Sequence, residues 1–169
     1  MRLADLIFQV VSRYVDTVFF VPGGGAAFLV DALGQSGLKA VSMMHEQGAG
    51  YAALGYAMIR GFGVCLTTSG PGATNAVTPC AAAWAESVPV LFISGQCRSD
   101  TLITGKLRTR GSQEIDILNI IKDITKDCWL LTNKDMAEEI IEKVIEVARR
   151  ERPGPVWLDV PLDKQAEEV

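Results

Sequence analysis

The sequence predicts a doubly wound α/β domain with a mainly parallel sheet of about six strands and helices on both faces. Two observations carry this reading. Short apolar runs alternate about six times with longer segments whose apolar residues recur at threes and fours. The short runs are apolar throughout rather than at every second residue, as expected of strands covered on both faces. Parallel strands joined by right-handed helical crossovers satisfy both. The 169 residues suffice for one domain with its own core, and 49% apolar with 21% charged residues is a globular composition.

Leu3, Ile7, Val11 and Tyr14 mark a first helix with one buried face. The run Thr17-Val18-Phe19-Phe20-Val21 is then a strand, stopped by Pro22-Gly23-Gly24-Gly25. A helix over 26–33 and a strand over 38–44 follow, and a long helix runs from His45 to Arg60, closed by Gly61. The strand Val64 to Thr68 runs into Ser69-Gly70-Pro71-Gly72, and the helix over 73–85 has Pro79 inside it, which predicts a kink or a late start. A strand over 89–94 precedes a polar loop over 95–113. The remainder reads as a short helix over 115–124, a strand over 128–131, an amphipathic helix over 135–150 and a strand over 155–160. Residues 1–162 are taken as one domain, and the polar residues 163–169 as a frayed tail or the start of a linker.

Several function classes are disfavoured. A formal net charge of -4 without a Lys/Arg cluster argues against a nucleic-acid partner. No apolar run approaches the roughly eighteen residues needed to span a bilayer, and the N-terminus lacks the continuous apolar core of a signal peptide. The spacings of Cys65, Cys80, Cys97 and Cys128 match no zinc pattern, so reduced, packed thiols in a cytoplasmic protein are expected. A lone histidine, His45, weighs against a histidine metal site or a Ser-His-Asp triad, and no metal ligands are assigned.

Three unusual segments fall at strand carboxyl ends, where open α/β sheets bind ligands: Pro22 to Gly25, His45-Glu46-Gln47, and Ser69 to Asn75. The last is nearly a dinucleotide pattern, but Asn75 replaces its third glycine and Pro71 removes an amide donor. Each glycine loop alone would more often be a tight turn. Glu46 fits a first-turn carboxylate complementing the helix dipole. Behind it, however, Gly50, Ala53 and Ala57 share its side of the helix. So thin a helix should pack tightly on another helix, of this chain or of a second subunit, and would leave Glu46 partly desolvated for proton chemistry.

Pro-Gly-Gly after the first strand, His45-Glu46-Gln47-Gly48-Ala49, and Thr67-Thr68-Ser69-Gly70-Pro71-Gly72-Ala73-Thr74-Asn75 together resemble the pyrimidine-binding domain of thiamine-diphosphate enzymes. Val90 to Gly95 and Gln113-Glu114-Ile115-Asp116 are similar to the acetolactate synthase-like branch. The resemblance covers nearly the whole chain, 1–162. It implies that Glu46 hydrogen-bonds the aminopyrimidine and promotes the imino tautomer, whose nitrogen removes the C2 proton of the thiazolium. A 2-oxo acid is then attacked and decarboxylated, with the cofactor as electron sink. It also implies that Pro22, Gly23, Thr68, Pro71 and Asn75 line the pyrimidine side and that Gln113 lies near the reacting carbon. His45 is either a neighbour in the site or a polar helix start.

Departures from the family pattern matter equally. The diphosphate and Mg²⁺ are held in the family by a separate domain carrying Gly-Asp-Gly, which this chain does not contain. The chain alone is therefore expected to be inactive, requiring a diphosphate-binding domain or subunit in a homodimer or higher oligomer. Arg108-Thr109-Arg110-Gly111-Ser112 departs from the usual approach to the glutamine. Two origins fit: a truncated acetolactate synthase-like enzyme, favoured by Gln113-Glu114-Ile115-Asp116, or the small subunit of a split sulfopyruvate- or phosphonopyruvate-type decarboxylase. The rival from another class is a non-catalytic assembly domain of the same fold, against which Glu46 and both glycine loops argue.

Overall fold

The computed structural model describes residues 1–103 and 107–169. Among them, six strands form one all-parallel sheet: β1 (Thr17–Phe20), β2 (Lys39–Ser42), β3 (Gly63–Thr67), β4 (Val90–Gln96), β5 (Asp127–Leu130) and β6 (Val156–Pro161), in the order β2-β1-β3-β4-β6-β5. Helices α1 (Leu3–Val11), α2 (Ala27–Gln35) and α7 (Ala137–Arg149) cover one face. Helices α3 (Glu46–Arg60), α4 (Pro71–Asn75), α5 (Val77–Glu86) and α6 (Ile117–Ile121) cover the other. The α/β reading and its two covered faces are borne out.

The uniformly apolar strands serve two cores at once. Side chains alternate across a strand, so Val64, Leu66, Leu91 and Ile93 join the α1, α2 and α7 side while Cys65, Val90 and Phe92 join the other. On that second side the Trp157 ring stacks on Phe92, with centroids 5.1 Å apart.

Local chemistry sets the element ends. The N-cap of α3 is His45, whose Nδ1 accepts from the Gln47 N–H at 3.1 Å, and Gly61 closes the helix in the left-handed region at φ +88°. The helix expected over 73–85 is instead two: α4 and α5 meet at Ala76, and Pro79 falls in the first turn of α5. There its missing N–H would have no intrahelical partner anyway. The expected loop over 95–113 starts later, because β4 runs through Gln96. The part of that reading on residues 104–106 lies outside the described residues.

One sequence expectation needs correction. Residues 163–169 are not a frayed tail. They begin within the short helix α8 (Leu162–Gln165), and the fully buried Gln165 Nε2 donates to the carbonyls of Gly25 (2.7 Å) and Val160 (2.8 Å). The end of the chain then pairs with its beginning: Leu3 N–H donates to Glu167 O at 2.8 Å and Val169 N–H to Met1 O at 2.9 Å. The thin side of α3 does pack tightly on another helix, as expected, and that helix is α5 of this same chain. Gly50 abuts the Pro79 ring of α5, and the Ala53 carbonyl and Ala57 methyl press on Gly63 of β3.

Gly50 and Gly55 in α3 therefore predict opposite outcomes. A Cβ at Gly50 would overlap Pro79, whereas one at Gly55 meets nothing within 4 Å. Gly50→Ala should cost about 1–3 kcal/mol through overpacking. Gly55→Ala should add up to about 1 kcal/mol from helix propensity. Urea unfolding of the two variants reads both signs.

Candidate functional site

The chain passes from β1 outward to β2 and then returns across β1 to β3, so β1 and β3 flank a switch point where strand order reverses. Such a point opens a crevice at the strand carboxyl ends. The loops that follow β1 and β3 close on each other there. Gly25 N–H donates to Thr68 Oγ1 at 3.1 Å, and a Cβ at Gly23 would stand 2.5 Å from Thr68 Cβ. A side chain at Gly25 would overlap Ser69, and one at Gly95 would overlap the Gly25 carbonyl. Glycine is required because the two loops and the end of β4 approach at backbone distance.

Glu46 reaches this crevice from the carboxyl end of β2 as the first residue of α3, half-buried. Asn75 at the end of α4 donates from Nδ2 to Glu46 Oε2 at 2.9 Å. The other oxygen faces Gly72, where a Cβ would stand 3.3 Å from Oε1 and 2.6 Å from Thr68 Cγ2. The structure thus brings Glu46, Thr68 and Asn75 together around Gly72. Pro71 opens α4 next to Gly70, whose φ is +53°, while Gly23 on the β1 loop, preceded by Pro22, abuts Thr68. Beneath them, Thr67 is buried with no partner for its Oγ1 among the described residues. Of the two readings of His45, the geometry shows the helix start, since the imidazole is exposed and its Nδ1 is engaged as the cap.

Gln113 stands on the far side of the same loop. Its backbone is left-handed at φ +57°, and a Cβ at Gly70 would overlap its carbonyl. Glu46 and Gln113 therefore flank the 70–72 loop, one at each end. A cleft of about 390 Å³ opens beside it, lined by Gly24, Gly25, Ser69, Gln96, Arg110 and Gln113 among others.

Residues given no role in the sequence reading hold this side of the site. The buried Glu114 carboxylate accepts the N–H groups of Arg110 (2.8 Å), Gly111 (2.8 Å) and Ile103. Burial alone would raise this carboxyl, but the backbone donors from Gly111, Arg110 and Ile103, with the Arg110 charge, outweigh it and hold its pKa low. A second buried acid, Asp159, lies in β6 and accepts from Ser94 Oγ at 2.6 Å and Gln96 Nε2 at 2.9 Å. Burial pushes it up to about 7, Asp116 adds to the rise, and the two hydrogen bonds oppose it. A carboxylate inside the apolar run Val156-Trp157-Leu158-Asp159-Val160 was the available sequence signal. The thiols of Cys65, Cys80 and Cys97 are buried and raised, first by desolvation, and all four cysteines are unpaired. Among the described residues no group of three or more His, Cys, Asp or Glu could hold a metal ion, and no helix is long and apolar enough to cross a membrane.

The sequence profile of the thiamine pyrophosphate enzyme N-terminal TPP binding domain matches residues 1–120. The chain belongs to the thiamine pyrophosphate enzyme family. Curated relatives extend the likeness past residue 120. The acetolactate synthase large subunit of Corynebacterium glutamicum is 44% identical over 91% of this chain and 24% of its own length. The acetolactate synthase isozyme 2 large subunit of Escherichia coli is 41% identical over 89% of this chain and 27% of its own. The probable acetolactate synthase large subunit of Methanocaldococcus jannaschii is 40% identical over the full chain and 28% of its own. The chain thus spans about a quarter of the length of these relatives, and what it matches in the family is the N-terminal TPP binding domain.

Glu114 makes a pH-dependent prediction. With its folded pKa below its unfolded value, it contributes stability above the ordinary glutamate range of about 4.3 and loses it as pH falls through the folded value. Glu114→Gln keeps the shape but leaves buried N–H groups short of acceptors. It should cost about 1–3 kcal/mol at pH 7, with a smaller difference at pH 3, measured by denaturant unfolding at both.

Proposed function

We propose that this chain is the pyrimidine-binding half of a thiamine-diphosphate-dependent 2-oxo acid decarboxylase or carboligase of the acetolactate synthase kind. The observation that supports it most is the state of the Glu46 carboxylate. One oxygen is held by Asn75, and the other is left open by the absence of a side chain at Gly72. A carboxylate so fixed at a helix N-terminus is oriented before any ligand arrives. Family membership supplies the ligand class.

The residues present fit the flat, nitrogen-bearing end of the cofactor. Gly23, Gly25 and Gly72 form walls on which any Cβ would intrude, and Thr67 Oγ1, without a partner among the described residues, leaves hydrogen-bonding capacity beneath them. When bound, the cofactor supplies the electron sink for decarboxylation of a 2-oxo acid. Glu46 would hold and move a proton at its open oxygen, with Asn75 keeping the carboxylate from turning. Pro22, Gly23, Thr68 and Pro71 would line the ring. Gln113, across the 70–72 loop, would face the reacting carbon from the cleft. The diphosphate and Mg²⁺ would be bound by a further domain or subunit, for which the greater length of the relatives leaves room. The assembled site then lies between this domain and a partner in a dimer or larger oligomer, and the chain alone is inactive.

The test uses the chain joined to or mixed with a diphosphate-binding domain. Glu46→Gln should lower the exchange rate of the cofactor C2 proton by about 10²-fold or more, the range of a lost general acid–base group, while calorimetry still detects cofactor binding. Exchange at the unaltered rate would remove Glu46 from this role. Absence of cofactor binding by the unaltered assembly would favour a non-catalytic domain instead.

A further inference from the structure

Three polar residues sit side by side across adjacent strands at the carboxyl end of the sheet. Thr67 of β3 is in register with Ser94 of β4, and Ser94 with Asp159 of β6. The row lies on the α3 to α6 face and is buried, with Asp159 only 2% exposed. Trp157 Nε1–H donates to Ser94 Oγ at 2.8 Å, and Ser94 donates to Asp159 Oδ1. One step above, the buried Gln96 uses its whole amide. Its Nε2 donates to Asp159 Oδ2 at 2.9 Å and to the Ile115 carbonyl at 3.0 Å, and its Oε1 accepts the Cys97 N–H at 2.9 Å.

Ile115 is two residues beyond Gln113. The Gln113 segment is held by the Gly70 backbone under the Gln113 carbonyl, the Glu114 carboxylate, local backbone bonds from Glu114 to Gly111 and from Ile117 to Ile115, and the Gln96 amide on Ile115. Of these, only Gln96 joins it to the rigid sheet through a side chain whose every polar atom is used. Filling the space between β4, β6 and this segment needs no carboxyl, since an apolar group of the same size would cost less to bury. A buried acid is retained here, and it orients the amide that holds the turn.

We propose that Gln96, braced by Asp159, is a positioning residue for Gln113: it ties the carbonyl beyond Gln113 to the ends of β4 and β6 and sets the left-handed turn in which Gln113 lines the cleft. That Gln113 acts on substrate rests on the function proposed above, but the tie itself does not. A cavity of about 150 Å³ borders the junction. Among the described residues, the charged and titratable groups facing Asp159 are Asp116 at the start of α6, Glu114 in the loop, and the Cys97 thiol after β4. None of them is cationic, so ionisation of Asp159 is answered by the Ser94 and Gln96 hydrogen bonds, which strengthen when the acceptor is charged. The change is then passed to Trp157 at one end and Ile115 at the other.

Nuclear magnetic resonance on the labelled protein without cofactor reads both ends. The Trp157 indole N–H and the Ile115 carbonyl ¹³C should titrate together, with one shared midpoint near the value of about 7 that burial gives Asp159. Asp159→Asn, which imitates the protonated acid, should abolish both titrations. Gln96→Leu should leave the Trp157 titration in place, silence Ile115, and speed amide exchange over residues 113–117 at least tenfold. An Ile115 carbonyl that does not move while Trp157 titrates would overturn the proposal, as would a pH titration of Ile115 that persists in Asp159→Asn. The titration of the unaltered protein decides the matter even if a variant fails to fold. Because no cofactor is present, the result is independent of whether Glu46 acts as proposed.

Discussion

The site depends on loops that meet at glycines where the chain reverses between β1 and β3. Gly95 lies under the Gly25 carbonyl, Gly23 against Thr68, and Gly70 against the Gln113 carbonyl. Each contact removes the room for a Cβ, so three loops that leave different strands converge closely enough to act as one wall. Everything chemical hangs on this convergence. Gly72 can leave Glu46 Oε1 open only because α4 is drawn in by the loop that precedes it. Hydrophobic burial holds the sheet together, but it does not by itself bring polar loops to such distances. Missing side chains permit them.

Much of this could be read from the residues. Uniformly apolar runs identify strands covered on both faces, and His45 and Gly61 mark the ends of α3 almost to the residue. The three glycine- or glutamate-bearing segments were legible as strand-end features, and the sheet order then explains why two of them share one crevice. What escaped was set by distant partners. The small residues of α3 have a face in the sequence, but periodicity does not say who covers it, and Pro79 of the same chain does. The irregular stretch before Gln113 owes its order to the Glu114 carboxylate gathering N–H groups from three positions. Composition cannot show such an arrangement.

Two buried acids frame the Gln113 side in opposite ways. Glu114 is compensated by backbone donors and held in its charged form, whereas Asp159 is less compensated and sits near neutrality. The difference comes from donor supply. Three N–H groups converge on Glu114, but a side-chain hydroxyl and one amide serve Asp159. One acid thereby organises a loop, and the other couples that loop to the sheet. Charge at this edge is thus a means of ordering chain as well as a means of chemistry.

The pairing of Met1 with Val169 has a consequence of its own. The polypeptide leaves the fold at the corner where it enters, with α8 wedged beside α1 and α2 to hold that corner shut. Any segment joined before Met1 or after Val169 would therefore depart from one corner, beside α1 and α2.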